Sequence, residues 1–351
     1  MLSAAIEGMF LNSELFDHQR GASTKGYKKI DMGTLVLSTQ NLHLGNANVN
    51  LRFEHGMVSP AYKTYHIHDC SIGLIAEWVK SEKAKRFFYD ATTVGASVCR
   101  RNVEWDTLYD QPLYLPSDAE QEHLAAFLTA LSTRIKKQTE LVELLKKYKR
   151  GALQCVFHSM TDCSVITVGD VFVKANKRNS DGRIKNVITN SAEYGLIPQR
   201  DFFDKDIAVD GNTNNYYIIQ KDCFVYNPRK SNTAPYGPFN CYNGEEEGII
   251  SPLYTCLIKK IEVDSTYLSW YFKSDSWYRY IYDNGSQGVR HDRVSMTDDL
   301  LMGIPVKLPS AQKQKEISKF LNGIDAKLRL EAEILKHLIK IKNGLYDKMF
   351  L

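Results

Sequence analysis

Residues 115–157 read LPSDAEQEHLAAFLTALSTRIKKQTELVELLKKYKRGALQCVF, and residues 308–350 read LPSAQKQKEISKFLNGIDAKLRLEAEILKHLIKIKNGLYDKMF. At an offset of 193 the two align without a gap from Leu-Pro-Ser to the closing Phe. In the first, Leu124, Leu128, Leu131, Ile135, Gln138, Val142, Leu145, Lys149, Ala152 and Val156 step by alternating fours and threes. That is a heptad seam, the signature of a helix that buries one stripe against another helix. The second seam reads Ile317, Leu321, Ile324, Leu328, Glu331, Leu335, Leu338, Lys342, Leu345 and Met349, with polar interruptions at the same places. Ser117 can cap the first helix, with Glu120 completing a capping box; Ser310 offers the simple cap alone, because Lys313 stands where the acid would be. A helix of about 40 residues spans roughly 60 Å at ~1.5 Å per residue, too long to be packed by a small domain of its own. The cheapest partner is the other helix, antiparallel; two unrelated surface helices, or homodimerisation, are the alternatives.

The repeat extends upstream. Lys80-Ser81 pairs with Lys273-Ser274, Tyr89-Asp90 with Tyr282-Asp283, Gly95 with Gly288, Arg100 with Arg293, and Pro112 with Pro305. At a drifting offset, Gly56 to Tyr62 matches Gly248 to Tyr254, and Glu14 to Asp17 matches Asp201 to Asp204. Met1 then falls near Ile188, so the stretch like Val165 to Val173 has no counterpart in the first copy, which reads as truncated at its start. Between the helices, runs such as Tyr216 to Ile219, Cys223 to Tyr226 and Tyr254 to Ile258 are strands punctuated by Asn, Gly and Pro. Helical stretches around Leu74 to Tyr89 and Tyr267 to Tyr282 interrupt them. The expected fold is α+β: two globular domains (1–114 and 161–307) and two long antiparallel coiled-coil helices (115–160 and 308–351), with pseudo-twofold internal symmetry.

Composition bounds the function. No apolar run is long enough to span a membrane and no signal peptide opens the chain, so the expected compartment is cytoplasmic. The seven scattered cysteines form no C-x-x-C pair, which points to neither a zinc knuckle nor a disulfide framework. A net charge of +4 permits nucleic-acid binding without requiring it.

The Leu-Pro-Ser-x-x-x-Gln openings (Leu115 to Gln121, Leu308 to Gln314), Phe-Leu at 127–128 and 320–321, the heptads and the Lys-x-Gly-(x5)-Phe close, all duplicated in this order, resemble the DNA specificity subunit of Type I restriction-modification systems. The resemblance covers the whole chain. It implies a non-catalytic reader: two target-recognition domains each bind half of a split site on double-stranded DNA. The helices set the spacing and dock two methyltransferase subunits and the restriction/translocase subunits.

Base reading needs donors and acceptors that reach a groove, and phosphate positioning needs cations, amides or hydroxyls. Two regions of the second domain qualify. One is the glycine-rich loop with Gln287, Arg290, His291 and Arg293, matched in the first copy by Arg100, Arg101 and Asn102. The other interleaves Tyr226, Asn227, Arg229, Lys230, Asn232 and Tyr236 without an apolar period, as an exposed polar loop does. Its counterpart, Ser38 to Arg52, is poorer in aromatics and cations, so an asymmetric target is expected. For the seams, Leu124, Leu128, Leu131, Ile135, Val142, Leu145, Ile317, Leu321, Ile324, Leu328, Leu335 and Leu338 are the residues expected at the helix pair and partner contacts.

Other motifs carry less. Gly21 to Gly26 imitates a phosphate loop, but Tyr27 stands where lysine must follow. His66, His68, Asp69 and Cys70 are ligand types without a second cluster nearby. Asn227-Pro228 opens like an amino-methyltransferase signature, which Arg229 and Lys230 break. No metal, cofactor or enzymatic activity is expected. The rival reading is a coiled-coil interaction scaffold whose globular domains bind protein.

Overall fold

The computed structural model describes residues 1–16, 24–97, 100–201, 213–285 and 292–350. It divides into two compact units: Met1–Val142 with Leu330–Leu351, and Glu143–Arg329.

The first unit begins with a hairpin of β1 (Leu2–Ala5) and β2 (Gly8–Leu11), then a single helical turn α1 (Asn12–Leu15). Five strands follow: β3 (Lys28–Asp31), β4 (Leu35–Ser38), β5 (Ala47–Val49), β6 (His55–Val58) and β7 (Tyr62–Tyr65). They form a β3-β6 pair and a β5-β4-β7 sheet. Two short helices, α2 (Ile72–Trp78) and α3 (Glu82–Asp90), lead to the β8 (Thr92–Ser97) and β9 (Arg100–Val103) hairpin, then α4 (Trp105–Asp110) and the long α5 (Asp118–His158).

In the second unit β10 (Ser164–Thr167), a turn of helix α6 (Val168–Val171) and β11 (Phe172–Lys174) precede the hairpin of β12 (Val187–Ser191) and β13 (Gly195–Pro198). Next come β14 (Tyr217–Ile219), β15 (Phe224–Tyr226), β16 (Phe239–Cys241), β17 (Gly248–Ile250) and β18 (Thr255–Lys259). The sheet orders are β11-β18-β15-β16 and β13-β12-β17-β14. The chain continues with α7 (Ser265–Lys273), α8 (Tyr278–Asn284), α9 (Asp298–Met302), β19 (Pro305–Leu308) and the long α10 (Ala311–Met349), whose residues from Leu330 onward count with the first unit, as those of α5 from Glu143 onward count with the second. The expected continuous helices over 74–89 and 267–282 are each two helices. Ser81 and Ser274 sit at the breaks, and the Ser81 hydroxyl caps a new start by accepting from the Ala84 N–H.

The long helices behave as their seams require. Every heptad position of both is buried or half-buried, while most of their remaining residues are exposed. Within the first unit, Gln138 of α5 donates to the Glu331 side chain and carbonyl of α10, and Lys342 reaches Ser132. Within the second, Lys149 of α5 pairs with Asp325 of α10. Partners rise on one helix as they fall on the other, so the pairing in each unit is antiparallel.

The duplication survives at atomic detail. Gln121 Oε1 accepts from the Ser71 N–H at 2.7 Å and its Nε2 donates to the Pro116 carbonyl. Gln314, 193 positions on, accepts from the Asp264 N–H at 3.2 Å and donates to the Pro309 carbonyl. Both amides are buried and lock the start of a long helix to the N-cap of the domain's own helix, α2 or α7. At the far ends, Phe157 packs on Tyr267 and Tyr271, while Phe350 lies in a cluster with Leu74 and Trp78, which stand at equivalent positions. A fully buried aromatic of this size stabilises by ~2–3 kcal/mol.

One difference between the copies is a change of partner. Lys149 has its acid on the opposite helix, Asp325, and lies 5.2 Å from the Trp270 ring. Lys342 has its acid on α2, Glu77, at 3.0 Å, and the position matching Asp325 is Ser132. The carboxylate moves from helix to domain, and the half-buried lysine is neutralised either way.

Candidate nucleic-acid interface

Strand β15 is fully buried, and Tyr226 at its end is core: its ring is 1% exposed and its hydroxyl donates to the Tyr236 carbonyl at 2.7 Å. Burial pushes its phenol up. Asn227 is buried too. Its amide donates to the Asn190 carbonyl at 3.3 Å and its Oδ1 accepts from the Arg229 N–H at 3.0 Å, a side-chain turn that reverses the chain. Across from it Gly237 takes φ +85°, and a Cβ there would collide with the Asn227 carbonyl. Two residues expected in an exposed loop are thus its foundation: β15 is covered on both faces, and the Asn227 side-chain turn closes the loop above it.

Beyond this foundation the chain is exposed through Arg229, Lys230, Ser231 and Asn232. Here it meets the second expected region. Arg229 and Arg293 form an antiparallel bridge, the Lys230 N–H donates to the Asp292 carbonyl at 2.9 Å, and the Val294 N–H donates to the Pro228 carbonyl at 2.8 Å. Two segments 64 residues apart in sequence become one short ribbon with arginines directly opposed. Opposed residues of an antiparallel ribbon share a face, and like charges there destabilise it. The Asp292 carboxylate, 3.9 Å from Arg293, is the acid beside them. Burial raises the Tyr254 phenol, with the Thr189 hydrogen bond and the charges of Arg229 and Arg293 pulling the other way, so this hydroxyl lies within the field of both guanidiniums. Tyr236 is half-buried, its ring 5.0 Å from Tyr278. Gln287, Arg290 and His291 lie outside the described residues.

The first unit differs. Arg101 donates from Nε and Nη2 to the hydroxyl and carbonyl of Thr92, both at 2.7 Å, and lies 4.1 Å from the Tyr89 ring. It braces the β8-β9 hairpin on α3. Asn102 is exposed opposite Thr93, and Arg100 opens β9, its side chain outside the described residues. Desolvation, then the Arg101 charge, lowers the His43 imidazole, which places that ring near the hairpin.

Sequence reading passed over Tyr254 as a strand-end aromatic, and Arg178, whose guanidinium lies 5.0 Å from the Tyr217 ring while bonding the Asn215 carbonyl. The Lys177-Arg178 pair in a polar stretch was the available signal.

The twelve seam leucines, isoleucines and valine predicted above lie on inward helix faces; Leu128, Val142, Ile317, Leu321 and Ile324 are under 9% exposed. The outward faces carry Phe127 at 54% and Phe320 at 47% exposure, again 193 apart, with Tyr148 beside Phe320 lining an apolar hollow of about 590 Å³. Among the described residues no cluster of three metal-ligand side chains occurs, and no helix is long and apolar enough to cross a membrane.

No protein-family model and no curated protein matches this sequence. Solved structures do. The Type I restriction-modification S subunit from M. genitalium superposes with a TM-score of 0.57 at 14% identity, covering 93% of this chain and 84% of that one. The chain has the fold of a Type I S subunit. A structure of a type I restriction-modification system, solved for its complex assembly and conformational transition, matches at TM-score 0.55 and 15% identity over the same shares. At such identities it is the S-subunit fold that is shared. The arginine ribbon and the exposed phenylalanines are features of this chain's own residues upon that fold.

Proposed function

We propose that this chain is the DNA specificity subunit of a Type I restriction-modification system, non-catalytic in itself. The observation that carries this reading is the ribbon of Arg229 and Arg293. Two guanidiniums held opposite one another by backbone pairing gain their counter-charge from an anion, and a DNA phosphate has the charge and the geometry for it. Lys230 and Asn232, on the same exposed loop, are the groups for further backbone or base-edge contacts, with Gln287, Arg290 and His291 following in sequence. Tyr226 and Asn227 shape the loop from beneath. In the first domain Asn102 and Arg100 are the DNA-contacting candidates, while Arg101 holds their hairpin. The two domains then read unlike half-sites.

Phe127 and Phe320, exposed at equivalent positions, supply two similar apolar contacts for two copies of a methyltransferase subunit, with the restriction/translocase subunits joining that assembly. The test is a gel-shift titration of the chain co-expressed with its methyltransferase subunit. Affinity falling steeply with salt marks phosphate contacts, and methylome mapping gives a bipartite asymmetric motif. A complex that binds no DNA at low salt refutes the reading in favour of a protein-binding scaffold.

A further inference from the structure

Arg86, Tyr89 and Asp90 on α3 recur 193 positions on as Arg279, Tyr282 and Asp283 on α8. Other residues that the copies share nearby have a structural role: Ser81 and Ser274 are buried at the helix breaks, and Leu108 and Leu301 are core. The triplet is on the surface instead. Tyr89 is 46% and Tyr282 63% exposed, and the side chains of Arg86 and Arg279 are 85% and 80% exposed. Packing keeps buried residues alike in two copies of a domain; exposed charged and aromatic residues that stay alike point to binding.

The spacing i, i+3, i+4 puts the three on one helix face, and their arrangement is the same in each copy. The arginine approaches its aspartate through Nε, 2.7 Å from Asp283 Oδ2 on α8 and 3.9 Å from Asp90 Oδ2 on α3. Among the described residues neither guanidinium has a hydrogen-bond partner for its two Nη groups, a fork that fits two oxygens of one oxyanion. The phenol one turn along adds a hydroxyl donor.

Each triplet also borders the loop assigned to DNA in its own unit. In the second, Tyr278, one turn before Tyr282, lies with its ring 5.0 Å from that of Tyr236, on the loop that carries Arg229. In the first, the Arg101 guanidinium lies 4.1 Å from the Tyr89 ring, on the hairpin that carries Arg100 and Asn102. The reading loops differ between the copies, and the triplets beside them do not.

We propose that Arg86 with Tyr89, and Arg279 with Tyr282, form a sequence-independent anchor on the DNA backbone, one in each globular domain. The guanidinium takes two oxygens of one phosphate, and the tyrosine hydroxyl donates to a neighbouring phosphate; the aspartate holds the guanidinium by Nε so that its fork faces outward. Unlike bases demand unlike side chains at the two half-sites, whereas a phosphate is the same everywhere, so contacts to it stay alike while the reading loops diverge. The anchors set both domains on their half-sites in the same orientation and leave discrimination to the loops. This inference rests on the reading of the chain as a DNA-binding subunit.

The test uses the chain co-expressed with its methyltransferase subunit, as the native complex and as the double variants Arg86→Gln with Arg279→Gln and Tyr89→Phe with Tyr282→Phe. Affinity for a duplex that carries the methylated motif and for one that lacks it is measured by anisotropy across a range of salt. One phosphate contact adds ~0.9 to the slope of log K against log salt, about eightfold in affinity at 0.1 M salt. The arginine double variant should therefore lower the slope by about 2 and the affinity by about 60-fold, equally on both duplexes and with the methylated motif unchanged. The phenylalanine double variant should bind at least about threefold more weakly at an unchanged slope, since it loses hydrogen bonds but no charge. All four positions are exposed, and melting curves like that of the native complex show that the variants fold. An arginine variant with the native slope, or either variant with an altered motif or an altered ratio of the two affinities, overturns the anchor while leaving the DNA reading in place. A native complex that binds neither duplex overturns the DNA reading, and the anchor with it.

Discussion

Replacing Glu77 by Gln is the sharpest test of how the first unit holds its helix pair. The Glu77 carboxylate accepts from Ser132 Oγ and Tyr346 Oη, both at 2.8 Å, and pairs with Lys342 at 3.0 Å. The side chains of Glu77 and Lys342 are 14% and 18% exposed. Breaking a buried ion pair by removing one partner costs about 3–5 kcal/mol. Some water reaches this one and glutamine keeps an acceptor, so a loss of about 2–3 kcal/mol is expected. In a unit of this size that lowers the melting temperature by about 4–12 °C, taking 2–4 °C per kcal/mol. Hydrogen exchange should rise in peptides covering 72–90 and 330–350 and not in 265–285. The second unit supplies the remedy: Ser132→Asp places an acid where Asp325 faces Lys149, so in the Glu77→Gln background it should recover about half the loss. A melting shift below about 2 °C, or no recovery in the double variant, refutes the account of an exchanged carboxylate.

Arg229→Ala and Arg293→Ala should each weaken DNA binding at all sequences and reduce the salt slope by about 1, as measured by anisotropy between low and moderate salt; a variant with unchanged slope removes that residue from the phosphate contacts. Gln314→Ala should cost about 1–3 kcal/mol by stranding the Asp264 N–H and Pro309 carbonyl, seen by calorimetry, with Gln314→Glu recovering only the accepted bond. The Asp325 carboxyl is held low: burial raises it, but the hydrogen bond and charge of Lys149, with Arg329 and Lys273, outweigh that. Its contribution to stability is therefore complete above the ordinary carboxylate value of about 3.9 and is lost as pH falls below it towards the folded value. Melting curves from pH 6 to pH 3 should show that loss in the native chain and less of it in Asp325→Asn.

The helix pair was readable because its information is local. A residue's place on the seam depends on neighbours three and four positions away, and all twenty seam positions turn inward. The polar interruptions could be placed but not explained: that Gln138 would meet Glu331, its own counterpart in the repeat, follows from antiparallel pairing about that point. The polar loop after β15 was located from composition, yet composition could not tell Tyr226 and Asn227, which are buried, from Arg229 and Lys230, which are exposed. That division is made by where the covering of β15 ends and by the turn that Asn227 and Gly237 form there.

By itself, then, the sequence determined the duplication, the two long helices with their caps and seams, and the approximate strands, because each rests on short-range periodicity or on comparing the chain with itself. Tertiary structure decided what joins distant segments. It set Arg229 against Arg293, moved the acid for a half-buried lysine from Asp325 to Glu77, and, among the described residues, paired β7 with one strand where β18 has two. Such pairings follow from which backbone edges and apolar faces meet when the sheets close, a competition among long-range contacts that no local pattern encodes.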